Sequence, residues 1–388
     1  MHDHKRYFLD RKVGVLGGGQ LGKMMALAAA NWHLPLHILD RSTSFPAGGA
    51  GTVFTEGNFK DEEDVWNFGQ NLDLLTIEIE HVHTGALKRL IEEGIEVHPA
   101  PDKLEIIKDK GRQKQFYEEH GLPTADFGLY ENGAHIRSAI REGQLQFPFV
   151  QKSRTAGYDG KGVAVIRNEY ELEHKLMDTA SMVEKLVDID KELSVIAARN
   201  PSGEISTFPL VEMTFEPEAN LVEFLICPAS VTQKVAERTD QLARTIIETL
   251  DICGLLAVEF FLDSRGNVLI NEVAPRPHNS GHHTIDSCYT SQFEQHLRAI
   301  LNMPLGSTRL FCPAVMVNLL GAEGHEGKAR YEGVENCMQL EGTRIHLYGK
   351  ENTRPFRKMG HVTVLDDTTR GALEKAQEVK NLLRVVSG

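Results

Sequence analysis

Glu259 and Glu272 lie in two strongly apolar runs, residues 255–262 (LLAVEFFL) and 268–272 (VLINE). Between them stands Asp263-Ser264-Arg265-Gly266-Asn267, a turn composition, so the pattern predicts a β-hairpin. If Leu262 pairs with Leu269, Glu259 falls directly opposite Glu272. Like charges facing across strands are unfavourable, and carboxylates within apolar strands are costly without compensation. A divalent cation between them removes both objections. Hard oxygen donors, with Asn271 beside them, suit Mg²⁺, which keeps several waters and completes its shell with substrate phosphates. The plainer alternative is an edge hairpin with two solvated glutamates.

Two other stretches carry chemistry of the same kind. Residues 147–152 (FPFVQK) and 163–166 read as strands joined by Ser153-Arg154-Thr155-Ala156-Gly157-Tyr158-Asp159-Gly160-Lys161-Gly162. Strand, basic glycine-rich loop, strand describes a hairpin tip able to fold over a polyphosphate, with Lys152 and Lys161 supplying charge. It is not a Walker A loop, which leads into a helix. Past the glutamate hairpin, residues 274–283 (APRPHNSGHH) put Arg276, His278 and Asn279 in one loop. Adjacent His282 and His283 are poorly spaced for zinc, and anion binding by Arg276 and His278 fits better.

The elements that must position these groups follow in order. Residues 12–16 (KVGVL) form a strand, then Gly17-Gly18-Gly19-Gln20-Leu21-Gly22 opens a helix, with Asp40 ending the next strand. That matches the dinucleotide fingerprint, although a glycine-rich turn at a helix N-terminus holds any phosphate, a sugar phosphate included. Alternating elements to residue 97 predict a doubly wound parallel sheet, with Glu78 and Glu80 at the carboxyl end of strand 73–78. Residues 102–120 read as one charged helix whose Lys108, Lys110 and Lys114 have the look of a solvated face. Strands are expected at 181–187, where Glu184, Lys185 and Val187 have the look of an extended segment able to meet an adenine edge, and from Glu192. An irregular segment at 217–228 precedes a helix at 231–250. The chain from about 307 reads as strand-rich, with a basic patch of Lys350, Arg354, Arg357 and Lys358.

A chain of 388 residues exceeds the size at which one core keeps growing. The net charge of −13 argues against a nucleic-acid surface. Five cysteines without a CxxC pair suggest reduced thiols in a cytoplasmic protein. The first twelve residues hold no apolar leader, and no segment approaches a membrane span.

Taken together, KSRTAGYDGKG, EKLV with the following Glu192, AVEFFL and LINEVAPRPHNSGHH resemble the ATP-grasp superfamily. Within it, GGGQLGKM, AGYDGKG, NEVAPRPHNSGH and RPFRKMGH are similar to the 5-(carboxyamino)imidazole ribonucleotide synthase family of purine biosynthesis, in the family's order over nearly the whole chain. The resemblance implies an α/β ATP-grasp fold: an N-terminal Rossmann-like (pre-ATP-grasp) domain over 1–108, an ATP-grasp domain over 109–306 with a mobile hairpin subdomain at about 122–186, and a small strand-rich C-terminal domain over 307–388. It implies a carbon-nitrogen ligase in which ATP and bicarbonate give carboxyphosphate and the amine of 5-aminoimidazole ribonucleotide captures its carbon.

By motif position, Lys110 and Lys152 would hold the ATP phosphates and Gly157, Tyr158, Asp159, Gly160, Lys161, Gly162 and Val163 would cover them. Glu184, Lys185, Leu186 and Val187 would meet the adenine, and Glu192 the ribose. Asn271 and Glu272 would complete the ATP site, and Glu259 and Glu272 would hold Mg²⁺, with Mn²⁺ an alternative. Gln20, Leu21, Tyr158, Asp159, Arg276, Lys350 and Arg357 would bind the nucleotide substrate, while Arg276, His278 and Asn279 would receive bicarbonate. A homodimer is expected, with neither nucleic acid nor membrane as partner.

The chain departs from the family pattern at Ala156, where glycine is usual, and at Glu212-Met213-Thr214-Phe215, where the family often has Glu-Asn-x-His. The competing readings are an NAD-dependent oxidoreductase, resting on Gly17, Gly19, Gly22 and Asp40, a sister ligase such as formate-dependent glycinamide ribonucleotide transformylase, and a catalytically silent ATP-binding regulator.

Overall fold

In the computed structural model, which describes residues 7–155, 162–216 and 221–388, the short apolar runs of the first hundred residues become five parallel strands. Their order across the sheet is Val53–Glu56, Leu36–Asp40, Val13–Leu16, Leu74–Ile77 and Glu96–Val97. Val13–Leu16 and Leu74–Ile77 are wholly buried, as strands covered on both faces must be. The order reverses between these two strands, and the glycine loop sits at that switch point, where open α/β sheets bind ligands.

The helix expected over 102–120 is two, Pro101–Ile107 and Lys110–Glu119. The break is set by Asp109, whose carboxylate caps the second helix at the N–H groups of Gly111 and Arg112. A four-stranded antiparallel sheet follows, ordered Phe127–Tyr130, Ser181–Lys185, Phe149–Ser153, Val163–Ile166. It carries the glycine-rich hairpin. Residues 156–161 of that hairpin, among them Gly157, Tyr158, Asp159, Gly160 and Lys161, lie outside the described residues.

The largest sheet has nine strands. The glutamate hairpin, Gly254–Asp263 and Val268–Ala274, forms one end, and Ile189–Arg199 pairs beside it. One expectation is corrected here. Part of the segment expected to be irregular is a strand, Leu221–Cys227, pairing with Val211–Glu216. The strands of the strand-rich C-terminal part continue the same sheet, Ala314–Leu320 against Leu221–Cys227, then Lys358–Leu365 and Thr343–Leu347. The helix Gln233–Thr249 covers the hairpin end with Leu242, Ala243, Ile246 and Ile247, and Thr369–Leu382 covers the other with Ala372, Ala376 and Val379. No described helix is long and apolar enough to cross a membrane.

Candidate active site

Glu259 and Glu272 are directly paired across the hairpin. The route to that register differs from the expected one. Near the turn Leu262 pairs with Val268, Phe261 with Leu269 and Phe260 with Ile270, one residue out of the expected alignment. An irregularity between Glu259 and Phe260 inserts one residue and restores the facing pair. Directly paired residues point to the same face of a sheet, so the two carboxylates stand side by side. Burial first, then the charges of Glu272 and Glu192, push Glu259 well above the ordinary carboxylate range. Burial pushes Glu272 the same way, but the ion-paired ammonium of Lys110 outweighs it and holds this carboxyl low. Two carboxylates at one point, one starved of positive charge and one fed by a lysine, form a donor set that fits a hard divalent cation.

The cations opposite are held by a second carboxylate. Glu184, 3% exposed, accepts ion pairs from Lys114 and Lys152, each at 2.6 Å. Lys152 also donates to Asn271 Oδ1 at 2.9 Å, one residue from Glu272. Lys114 is not on a solvated face as expected: it is 2% exposed and donates to Thr124 and, at 3.2 Å, to the carbonyl of Ile270. Burial pulls its pKa down to about 8. Glu184 thus acts through its side chain, as the clamp that fixes two lysines. Burial opposes its charge, and Lys152 and Lys114 together overcome that and keep it ionised. Leu186 and Val187 lie beyond the last residue of strand Ser181–Lys185, so their backbone is outside the ladder and available to a base edge. Exposed Lys185 closes that strand. Glu192 lies on strand Ile189–Arg199, beside the glutamate hairpin in the nine-stranded sheet, its carboxyl raised to about 7 by burial and by Glu272 against the pull of Lys152.

Arg276 joins this cleft to the N-terminal sheet through a 2.8 Å ion pair with Glu80. His278 points Nε2 at Glu259, 3.5 Å away, while Nδ1 meets the hydroxyl of Ser280 at 2.9 Å. The Asn279 amide exchanges two hydrogen bonds, 2.9 and 3.1 Å, with the amide of Asn318 on strand Ala314–Leu320. That exchange braces the loop against the sheet and leaves the Asn279 amide a second N–H and a second lone pair.

The glycine loop closes on protein, not on open space. Gly19 and Gly22 donate their N–H groups to Glu78 at 2.6 and 2.5 Å, and Gly18 donates to Asp40 at 2.7 Å. A Cβ on Gly17, whose φ is +108°, would come within 2.4 Å of the Glu78 side chain. The N–H groups that would cradle a pyrophosphate are therefore already satisfied by a carboxylate, which removes the physical basis of the NAD reading. Gln20 remains partly exposed at the helix start, whereas the Leu21 side chain is packed into the core beside Met25 and Leu297.

Three family profiles match in series: the ribonucleotide synthetase preATP-grasp domain over 10–108, the ATP-grasp domain over 115–293 and the phosphoribosylaminoimidazole carboxylase C-terminal domain over 314–375. The N5-carboxyaminoimidazole ribonucleotide synthase of Synechococcus elongatus is 37% identical over 380 residues, 96% of this chain and 94% of that protein. The chain belongs to the N5-carboxyaminoimidazole ribonucleotide synthase family. The crystal structure of the Thermotoga maritima synthetase superposes with a TM-score of 0.89 at 43% identity, covering 97% of this chain and all of that one. The Aspergillus clavatus synthase, crystallised with ADP and 5-aminoimidazole ribonucleotide, gives 0.88 at 30% identity, covering 97% and 99%. The chain spans 64% of the length of the chloroplastic phosphoribosylaminoimidazole carboxylase of Vigna aconitifolia, to which it is 37% identical.

For a member of the N5-carboxyaminoimidazole ribonucleotide synthase family, the expected basic patch has a structural partner that the sequence reading missed. Lys23, on the helix that the glycine loop opens, reaches across to the carbonyls of Leu347 and Tyr348 at 2.9 and 3.3 Å. It ties the glycine loop to the segment carrying Lys350, which donates to the carbonyl of Lys358 at 2.7 Å. Arg357 donates to the carbonyl of Asn352 at 2.5 Å. Lys23 stands within GGGQLGKM, so its position was in view, but nothing in that run indicates a contact 324 residues away. Phe215, where the family often has histidine, packs against the apolar cluster of Val211, Met213 and Leu225. Glu212 of the same strand pairs with Lys191 at 2.7 Å.

Proposed function

We propose that the chain carboxylates the amine of 5-aminoimidazole ribonucleotide, using ATP and bicarbonate and releasing ADP and phosphate, as the names of its full-length relatives indicate. The observation that carries this reading is the position of Arg276, which extends from the carboxylate hairpin to Glu80 beside the glycine loop. One guanidinium spans from the carboxylate hairpin to the end of the N-terminal sheet, where the family resemblance puts the second nucleotide. A reaction that activates bicarbonate with the γ-phosphoryl group of ATP and passes its carboxyl to another nucleotide requires that adjacency.

Lys110 and Lys152 hold the ATP phosphates, and Glu184 fixes Lys152 with Lys114 behind it. Glu192 meets the ribose, and the backbone of 186–187 the adenine. Glu259 and Glu272 would hold Mg²⁺ or Mn²⁺, which on binding neutralises phosphate charge during transfer. Attack of a bicarbonate oxygen on the γ-phosphorus, with loss of ADP, gives carboxyphosphate. Arg276, with His278, holds this anion against the amine, which attacks its carbon and expels phosphate. Phosphoryl transfer asks a protein mainly for positioning and charge stabilisation, and no side chain here is a nucleophile. Gln20, Lys350, Arg357 and the loop residues Tyr158 and Asp159 bind the ribonucleotide. A cytoplasmic homodimer is consistent with the family.

ADP release from ATP and Mg²⁺ in bicarbonate-depleted buffer tests this. Strong stimulation is expected only when bicarbonate and 5-aminoimidazole ribonucleotide are added together. Stimulation by formate with glycinamide ribonucleotide, and none by this pair, would replace the reading with the sister ligase.

A further inference from the structure

A cavity of about 490 Å³ lies at the root of the glycine-rich hairpin, lined by Lys60, His81, His83, Lys108, Arg112 and Thr155 among others. None of Lys110, Lys152, Glu259, Glu272 and Arg276 lines it. Lys110 and Lys114 turn to Glu272 and Glu184, whereas Lys108 and Arg112 serve the cavity. At roughly 30 Å³ per water, it has ample room for a hydrated small anion.

Its charge is one-sided. The acids on its wall, Glu105 and Asp109, already have cations of their own: Lys88 at 2.7 Å and Arg154, through Nε at 2.9 Å. Lys60, Lys108 and Arg112 then remain as positive charge, with Lys108 aimed by its hydrogen bond to the carbonyl of Val82 at 3.0 Å. His83 accepts the Ala86 N–H through Nδ1, which leaves Nε2 as its donor. Buried Nδ1 of His81 has no hydrogen-bond partner among the described residues. The helix Thr84–Glu92 begins at the wall, with Thr84 a lining residue, and adds the positive end of its dipole.

We propose that this cavity is a binding site for one small inorganic oxyanion, distinct from the ATP cleft. Bicarbonate before the reaction and phosphate after it share that chemistry, and naming these two sources rests on the proposed function. Asp109 links the site to the chemistry, since it caps the helix that starts at Lys110 and holds Arg154 beside Thr155.

The test uses the whole chain and Lys60→Ala/Arg112→Ala, two exposed side chains outside the proposed machinery. With the ATP cleft filled by a non-hydrolysable ATP analogue and Mg²⁺, the ³¹P line of inorganic phosphate should broaden saturably on the parent chain. The double variant should weaken that binding about tenfold, the sum of two partly exposed charge contacts. No saturable broadening, or equal broadening with the variant, overturns the site. This arm needs no turnover, so it decides the site even if the proposed function fails. In steady state, a raised KM for bicarbonate, with kcat and the KM for ATP and the ribonucleotide unchanged, identifies the substrate as occupant. Weaker product inhibition by phosphate alone identifies the product. A change in neither, with phosphate binding lost, overturns a role in this reaction.

Discussion

The two ends of Arg276's reach present the same group in opposite settings. Glu78 follows directly on the parallel strand Leu74–Ile77 and Glu272 lies within the antiparallel strand Val268–Ala274, and each puts a carboxylate where a nucleotide is expected. Glu78 is held by the backbone N–H groups of Gly19 and Gly22, donors that cannot leave. Glu272 is held by the ammonium of Lys110, a donor on a flexible stem that can give way to a metal ion or turn to a phosphate. The first arrangement builds a wall and the second an exchangeable site.

Four changes would break or sharpen that contrast. Glu272→Gln keeps the shape and removes the charge, and turnover should fall on the order of a hundredfold or more, as for loss of one group stabilising transition-state charge. Near-normal ADP release would end the metal assignment. Glu78→Gln should instead act on folding. An amide can accept from only one of the two N–H groups, and leaving the other unpaired costs about 1–3 kcal/mol. Denaturant unfolding should record that loss while the KM for ATP stays unchanged, and a shifted KM for ATP would mean the wall is part of the cleft.

The third change is of pH. Glu192 is raised from 4.5 to about 7 by burial, and Glu259 is raised in the same direction. At these two groups the folded chain holds more protons than the unfolded one above pH 4.5, whereas His282, His283, His296 and His361, kept neutral by burial, work the other way up to about pH 6.5. Without metal, stability should therefore fall as pH rises from about 6.5 through the values of Glu192 and Glu259, about 7 and about 8. Glu272, depressed by Lys110, works oppositely, but its window closes below 4.5. Urea midpoints in chelator should drop between about pH 6.5 and about pH 8 and drop less with Mg²⁺, because a cation favours the ionised pair. A flat profile would mean that the carboxylates are not starved of charge. The smallest effect is expected from Asn318→Ala, which frees the Asn279 amide. A stability loss of about 1 kcal/mol with a modest fall in turnover would fit a brace. A collapse of turnover with stability intact would place Asn279 in the chemistry.

The facing glutamates were legible because alternation in an apolar strand is a strong signal, yet the expected register was displaced by one residue near the turn and recovered only by a bulge that no residue type announces. Lys114 was misjudged for a reason that lies outside its own stretch of sequence. A lysine on a charged helix reads as solvated until strands more than a hundred residues away cover it, and Ile270 and its neighbours do so here. The strand Leu221–Cys227 carried a readable run, VEFLIC, but Pro217 and Pro228 at its flanks suggested irregular structure. The Asn279–Asn318 exchange had no local signal at all.

The continuous nine-stranded sheet bears on how the chain is made. Leu221–Cys227 has Val211–Glu216 on one side and Ala314–Leu320 on the other, with Leu225 and Cys227 fully buried. During synthesis the second neighbour arrives some ninety residues late, a gap read from the two strands' positions. Until it arrives, the nascent protein carries an open apolar edge, the kind of template on which chains join to one another. Completion of the last quarter of the chain is thus also what seals the catalytic half against aggregation.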